Sequence, residues 1–152
     1  MGLIVTAGQA MDLLVLSEQH GGHPCVKHIS ISNSGLMERL LHGEGGSPGG
    51  VIYISAFLTL KDAGEACRQV LKNLGKGVVK RVSEGESAQR DFTDVRTDRL
   101  FRARFAFGGA GVRTYDTDRM TLVIRHKPLF PHGIMIVTFF PRPPNELRLD
   151  PI

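Results

Sequence analysis

Two imidazoles, an ammonium and a guanidinium fall within one short region of this chain: Gly21-Gly22-His23-Pro24-Cys25-Val26-Lys27-His28, with Arg39 eleven residues further on. No other stretch concentrates so much acid/base and anion-binding chemistry. An imidazole titrates near neutrality, so it can take a proton and return it at working pH. Lysine and arginine stabilise negative charge, and the guanidinium fork can hold two phosphate oxygens at once. A base, an acid and a cation are the set that metal-free cleavage of an RNA phosphodiester requires.

Spacing alone does not make His23 and His28 a pair. On an ideal helix they would stand about 140° apart, and on a strand they would face opposite sides. Their partners must come from elsewhere in the fold, which turns attention to the elements that position them.

The first twenty residues read as an appendage or a short helix with an apolar stripe of Ala10, Met11, Leu13, Leu14 and Leu16. Asn33 or Ser34 can cap a helix carrying Leu36, Met37, Leu40 and Leu41 on one face, with Arg39 off the centre of that stripe. His42 to Gly50 is glycine-rich but lacks the Gly-Lys-Ser/Thr ending of a phosphate-binding loop, so it reads as a connector. Val51 to Phe57 has strand character. Thr59 then starts a helix whose Leu60, Ala63, Ala66, Cys67, Val70, Leu71 and Leu74 recur at three and four, with Gly75 and Gly77 closing it.

The second half is strand-like. The pattern predicts a short strand over Val78–Val82, a polar loop over Ser83–Asp94, and a strand over Leu100–Phe107. In that strand Phe101, Ala103, Phe105 and Phe107 form one face and Arg102 and Arg104 part of the other. Met120–Arg125 and Ile134–Phe140 follow, joined by Lys127–Gly133 as an antiparallel hairpin. The proline-rich tail from Pro141 is expected to leave the sheet. The order is α+β: N-terminal helices followed by a twisted antiparallel sheet. A division into a 1–20 extension or linker and a single domain over 21–152 follows.

With 152 residues, 41% hydrophobic and 22% charged, the chain fits one soluble domain with a real core. The formal charge of +4 suits a polyanionic partner without demanding one. Arginine supplies 13 of the 19 basic residues, a bias towards bidentate phosphate contacts. Cys25 and Cys67 set no disulfide framework. No stretch has the length of a membrane span, and Met1 to Leu16 lacks the basic leader of a standard signal peptide.

The run Gly22-His23, Lys27-His28 and Leu36 to Leu40 resembles the start of the ribonuclease A-like toxin domain. That domain is found at the C-termini of CdiA-type contact-dependent inhibition proteins and other polymorphic bacterial toxins. Later parts match in order: Ser55-Ala56-Phe57, the helix from Asp62 to Leu74, Leu122 to Arg125, and Ile136-Val137-Thr138-Phe139-Phe140-Pro141. The resemblance implies a ribonuclease A-like fold and metal-independent endoribonuclease activity, in which the ribose 2′-hydroxyl attacks phosphorus and leaves a 2′,3′-cyclic phosphate. It places the family's site histidine on His28, its arginine on Arg39 and its threonine on Thr138. The family's tyrosine position holds Phe140, which can stack on a base but cannot donate a proton. His23, Lys27, Tyr53 and Tyr115 are the candidates to supply the missing group, with Tyr53, Tyr115 and Phe140 also candidate substrate contacts. Thr138 and Phe140, two apart, project from one strand face with Ile134 and Ile136 behind them.

The same resemblance implies no cofactor, an RNA substrate with tRNA among the candidates, and a cognate immunity protein. It also implies an exported or delivered domain that acts in a target cell's cytoplasm. Three other readings compete. His20, His23, Cys25 and His28 offer metal-ligand types at no common zinc spacing. Cys25 beside His28 offers a nucleophile without a known elbow motif. The arginines at 96, 99, 102, 104, 113, 119 and 125 would make a basic face for a non-catalytic RNA- or protein-binding domain, unless they pair with Asp91, Asp94, Asp98, Asp116 and Asp118.

Overall fold

The computed structural model describes residues 2–22, 36, 53–75, 77–107 and 111–144. Helix α1 (Ala7–Gln19) starts at a reciprocal cap: Thr6 Oγ1 accepts from Gln9 N at 3.0 Å, and Gln9 Oε1 accepts from Thr6 N at 2.9 Å. Its buried residues Ala10, Leu13, Leu14 and Ser17 recur at three and four. Helix α2 (Leu60–Asn73) begins as the sequence predicts, with Thr59 Oγ1 accepting from Asp62 N at 3.1 Å. It buries Ala63, Ala66, Cys67, Val70 and Leu71. The two helices approach closely because Gly64 is bare. A Cβ there would run into the Met11 side chain.

Residues 78–82 are not a strand but helix α3 (Val78–Ser83). Gly77 enters a left-handed conformation at φ 80°, which sets up the turn. Val79 and Val82, three apart, then both reach the core. Five residues are too few for periodicity to separate the two structures, and packing overrides the β preference of valine.

Four antiparallel strands follow one another in the sheet order β1-β2-β3-β4: β1 (Tyr53–Phe57), β2 (Gln89–Phe107), β3 (Gly111–His126) and β4 (Ile134–Arg142). The helices-then-antiparallel-sheet order expected from the sequence is the one adopted. Strand β2 starts inside the segment expected to be a loop. Its polar opening, Gln89 to Asp91, pairs with Arg125 to Val123, and a strand with a solvated face reads as polar. Strand β4 runs through Pro141, which pairs with Met120, rather than ending there. An edge strand tolerates the missing N–H.

Register breaks between Phe92 and Val95 and between Arg96 and Phe101 divide the long β2–β3 hairpin into two arms. Strand β1 flanks one arm through Phe107–Ala103, and β4 flanks the other through Arg119–His126. The sheet curls until these edge strands meet. Phe57 stacks on Phe139 with centroids 5.2 Å apart, and Ser55 Oγ donates to Pro141 O at 2.7 Å.

The main core lies between α1, α2, α3 and the curled sheet, and includes Phe101, Met120, Leu122, Ile124, Ile136 and Phe139. Leu36 is helical and fully buried against Ile54, Ala56 and Ala106 on the β1 arm. Helix α1 is therefore part of this core: Leu13 and Leu14 belong to it, and Ser17 Oγ accepts from Ile136 N at 2.9 Å.

Candidate functional site

Strand β4 carries one irregularity. Val123 pairs with Thr138 and Ile124 pairs with Ile136, so Val137 is an extra residue on the β4 side. Unbroken alternation would put Ile134, Ile136, Thr138 and Phe140 on one face. The bulge changes the phase. Ile134 and Ile136 enter the main core, while Thr138, Phe140 and Arg142, opposite Val123, Thr121 and Arg119, share the other face.

Four rings from four strands meet on that side of the sheet. Tyr115 lies 6.0 Å from Phe105, Phe105 lies 6.2 Å from Tyr53, and Tyr53 lies 6.4 Å from Phe140 at a 65° tilt. The offset and edge-on geometries are those that aromatic quadrupoles favour. Tyr53 thus meets Phe140 directly and Tyr115 through Phe105, which the sequence marks only as an aromatic strand residue.

Charge gathers at the Phe140 end. Arg119 grips Asp94 with both forks, Nε to Oδ1 at 3.1 Å and Nη2 to Oδ2 at 3.0 Å, and its Nη1 donates to Pro143 O at 3.0 Å. Those hydrogen bonds hold the Asp94 carboxyl below its ordinary value, helped by the fields of Arg119, Arg96 and Arg142. Burial pushes the Tyr53 phenol above its ordinary value. Arg142 and Arg119 pull against that shift, and Asp94 adds to it. Tyr53 is therefore a protonated hydroxyl at neutral pH, able to donate.

His28, Arg39, His23 and Lys27 lie outside the described residues, as does Cys25. Gly22, the last described residue before them, sits against the β4 bulge. Its N–H donates to Ser17 O at 2.9 Å, and a Cβ on it would stand 2.5 Å from Ile136 O. Gly22, the residue before His23, thus stands two residues from Thr138 along β4. The three described histidines are elsewhere: His20 rests edge-on against Phe130 at 5.1 Å, His126 Nδ1 pairs with Val82 O at 2.8 Å, and His132 lies in the turn before β4.

The basic sheet face is neutralised in part. Arg96 pairs with Asp118 at 2.8 Å, Arg102 with Asp116 at 3.2 Å, and Arg119 with Asp94. Arg125 donates to Gln89 Oε1, and Asp98 is taken by Lys72. Arg142 differs. Its Nε is buried and has no hydrogen-bond partner among the described residues. The sequence signal for it was the period-two run Thr138, Phe140, Arg142, which stops being visible if the strand is ended at Pro141. A cavity of about 600 Å³ lined by Leu3, Val79, Lys80, Ser83 and His132 shares none of these residues.

No protein-family model matches the sequence, and no curated protein matches it. The fold is similar to that of a chain in the crystal structure of the CdiA-CT/CdiI complex from Y. kristensenii 33638. The TM-score is 0.59 and the identity 17%, over 80% of this chain and 100% of that one. At that identity the likeness shows a common fold.

Proposed function

We propose that this chain is a ribonuclease A-like toxin domain of the CdiA type that cleaves RNA without a metal. The observation that carries the reading is the shared face of Thr138, Phe140, Tyr53 and Tyr115, with Gly22, the residue before His23, set against β4 nearby. The likeness to a chain of a CdiA-CT/CdiI complex supports it. So does the order of sequence motifs along the chain.

In this mechanism His28 takes the proton from a ribose 2′-hydroxyl, and that oxygen attacks the adjacent phosphorus and displaces the 5′-oxygen. His23 or Lys27 protonates the leaving oxygen. Arg39 stabilises the charge growing on the phosphoryl oxygens, and Thr138 holds one of them. Tyr53, whose ring touches Phe140, supplies the hydroxyl that Phe140 lacks. The bases stack on the aromatic chain. The substrate is RNA, with tRNA among the candidates. The domain is delivered into a target cell's cytoplasm, and a cognate immunity protein covers the site in the producer. Residues 2–22 belong to the folded unit.

Incubation of the purified protein with total cellular RNA in excess EDTA is the test. The expected products carry 2′,3′-cyclic phosphate ends, and His28→Ala lowers the rate by about 10³, the range of general acid–base catalysis. Intact RNA, or a fully active His28→Ala protein with a native fold, refutes the mechanism. Phe140 favours one other reading, a domain that binds RNA without cutting it. Retention of full-length RNA in a stable complex would select that alternative.

A further inference from the structure

We propose that Arg142 is a phosphate-gripping residue of this face, holding a non-bridging oxygen of the nucleic-acid backbone. The inference rests on the polynucleotide reading given above. Arg142 follows Thr138 and Phe140 on the same face of β4, directly opposite Arg119. Like charges placed opposite one another across strands repel. A structural arginine in that position would have its own carboxylate, yet Asp94 is spent on Arg119 through both forks. Arg96, nearby, is paired with Asp118. Among the described residues, two guanidiniums and one carboxylate leave one positive charge unbalanced here. A buried guanidinium N–H without an acceptor is costly, and the Arg142 Nε is such a group.

The backbone holds this residue in place before any ligand arrives. Three successive carbonyls are tied to three other strand residues: Pro141 O accepts from Ser55 Oγ at 2.7 Å, Arg142 O from Thr117 Oγ1 at 2.6 Å, and Pro143 O from Arg119 Nη1 at 3.0 Å. The prolines on either side fix φ and keep Arg142 extended. An arginine held this firmly loses little entropy on gripping an anion, and its fork matches phosphate better than an ammonium does. Tyr53 stands in the field of Arg142, so a phosphate held here would have a phenol donor beside it.

The test uses a short oligodeoxynucleotide, which carries phosphates but no 2′-hydroxyl and so is bound without being cut. Its affinity is read by fluorescence anisotropy over a range of salt concentrations. Arg142→Gln is expected to weaken binding about tenfold and to lower the slope of log K against log salt by about 0.7, one single-strand phosphate contact. Arg142→Lys should restore the slope but only part of the affinity. Arg81→Gln, an exposed charge on α3, should change neither. Urea unfolding of Arg142→Gln should show a midpoint close to wild type, because its Nε gives up no hydrogen bond. Unchanged affinity and slope in Arg142→Gln overturn the assignment, as does a wild-type protein that fails to bind the oligonucleotide. The two readings fail separately. If RNA stays intact while Arg142→Gln loses binding, the nuclease reading falls and the phosphate grip stands. If RNA is cut while Arg142→Gln binds normally, the reverse holds.

Discussion

Replacing Ser17 by alanine tests how α1 and the site strand are joined. Strand β4 has β3 on one side only, so some of its N–H groups point outward, and the one on Ile136 is caught by Ser17 Oγ at 2.9 Å. Both residues are fully buried, at 0% exposure, so water cannot take the place of the hydroxyl. Losing it leaves a buried backbone donor unpaired, which costs about 2 kcal/mol. For a chain of this size that is a fall in Tm of about 4–8 °C. Urea denaturation should show a lower midpoint with an unchanged m-value. Val15→Ala, on the exposed side of the same helix, should stay within about 0.5 kcal/mol of wild type. Thr138 follows Ile136 by two residues, so RNA cleavage should weaken as well, since small misplacements at a reacting centre are costly. A Ser17→Ala protein as stable as Val15→Ala would show that α1 is not fastened to β4 through this bond.

Two further outcomes are expected. Phe140→Tyr adds a hydroxyl on the half-buried ring beside Tyr53. It should raise the initial rate of RNA cleavage about tenfold, worth about 1.4 kcal/mol of barrier, and an equal or lower rate would remove position 140 from the reaction. Glu65 is held down to about 2 by hydrogen bonds from Arg68, with help from Gln69. Gln69 Oε1 in turn accepts from Asp98 N at 2.6 Å, which links α2 to β2. A depressed carboxyl stabilises the fold above its ordinary value of 4.5, and the gain is lost as pH falls from there towards about 2. Glu65→Gln should therefore cost about 1 kcal/mol at pH 7, reduced by the group's partial exposure. The gap to wild type in urea titrations should close across that window.

Elements with strong local signals were legible in the sequence. Thr59 with its three-and-four spacing gave α2, and the alternation of Phe101, Ala103 and Phe105 gave the buried face of β2. The hairpin through Lys127–Gly133 was legible too, and is closed by Lys127 N donating to Gly133 O at 2.9 Å. Short or uniformly apolar runs were not. Val78–Ser83 is helical only because of what it packs on. Ile134 to Phe140 is apolar at six of its seven positions, so one extra residue at Val137 leaves no mark on its pattern. The ring chain from Tyr115 to Phe140 depends on how the sheet curls, which is a property of four strands together and of no segment alone. For the same reason Arg142 drew no notice: its neighbours Arg119 and Asp94 come from other strands.

The doubled position at Val137 makes β4 forgiving of a lost residue at that one place and unforgiving of one lost beyond it. Deleting Val137 would set Ile136 and Thr138 side by side, still opposite Ile124 and Val123, which is the plain alternation of an unbulged strand, so every side chain downstream would keep its face. Deleting Phe139 instead would turn the rest of the strand by half a pleat, and Phe140 and Arg142 would swing in under the helices. Drift along this strand can therefore drop a codon at the bulge without harm, whereas one codon lost two places later would turn the working surface inside out.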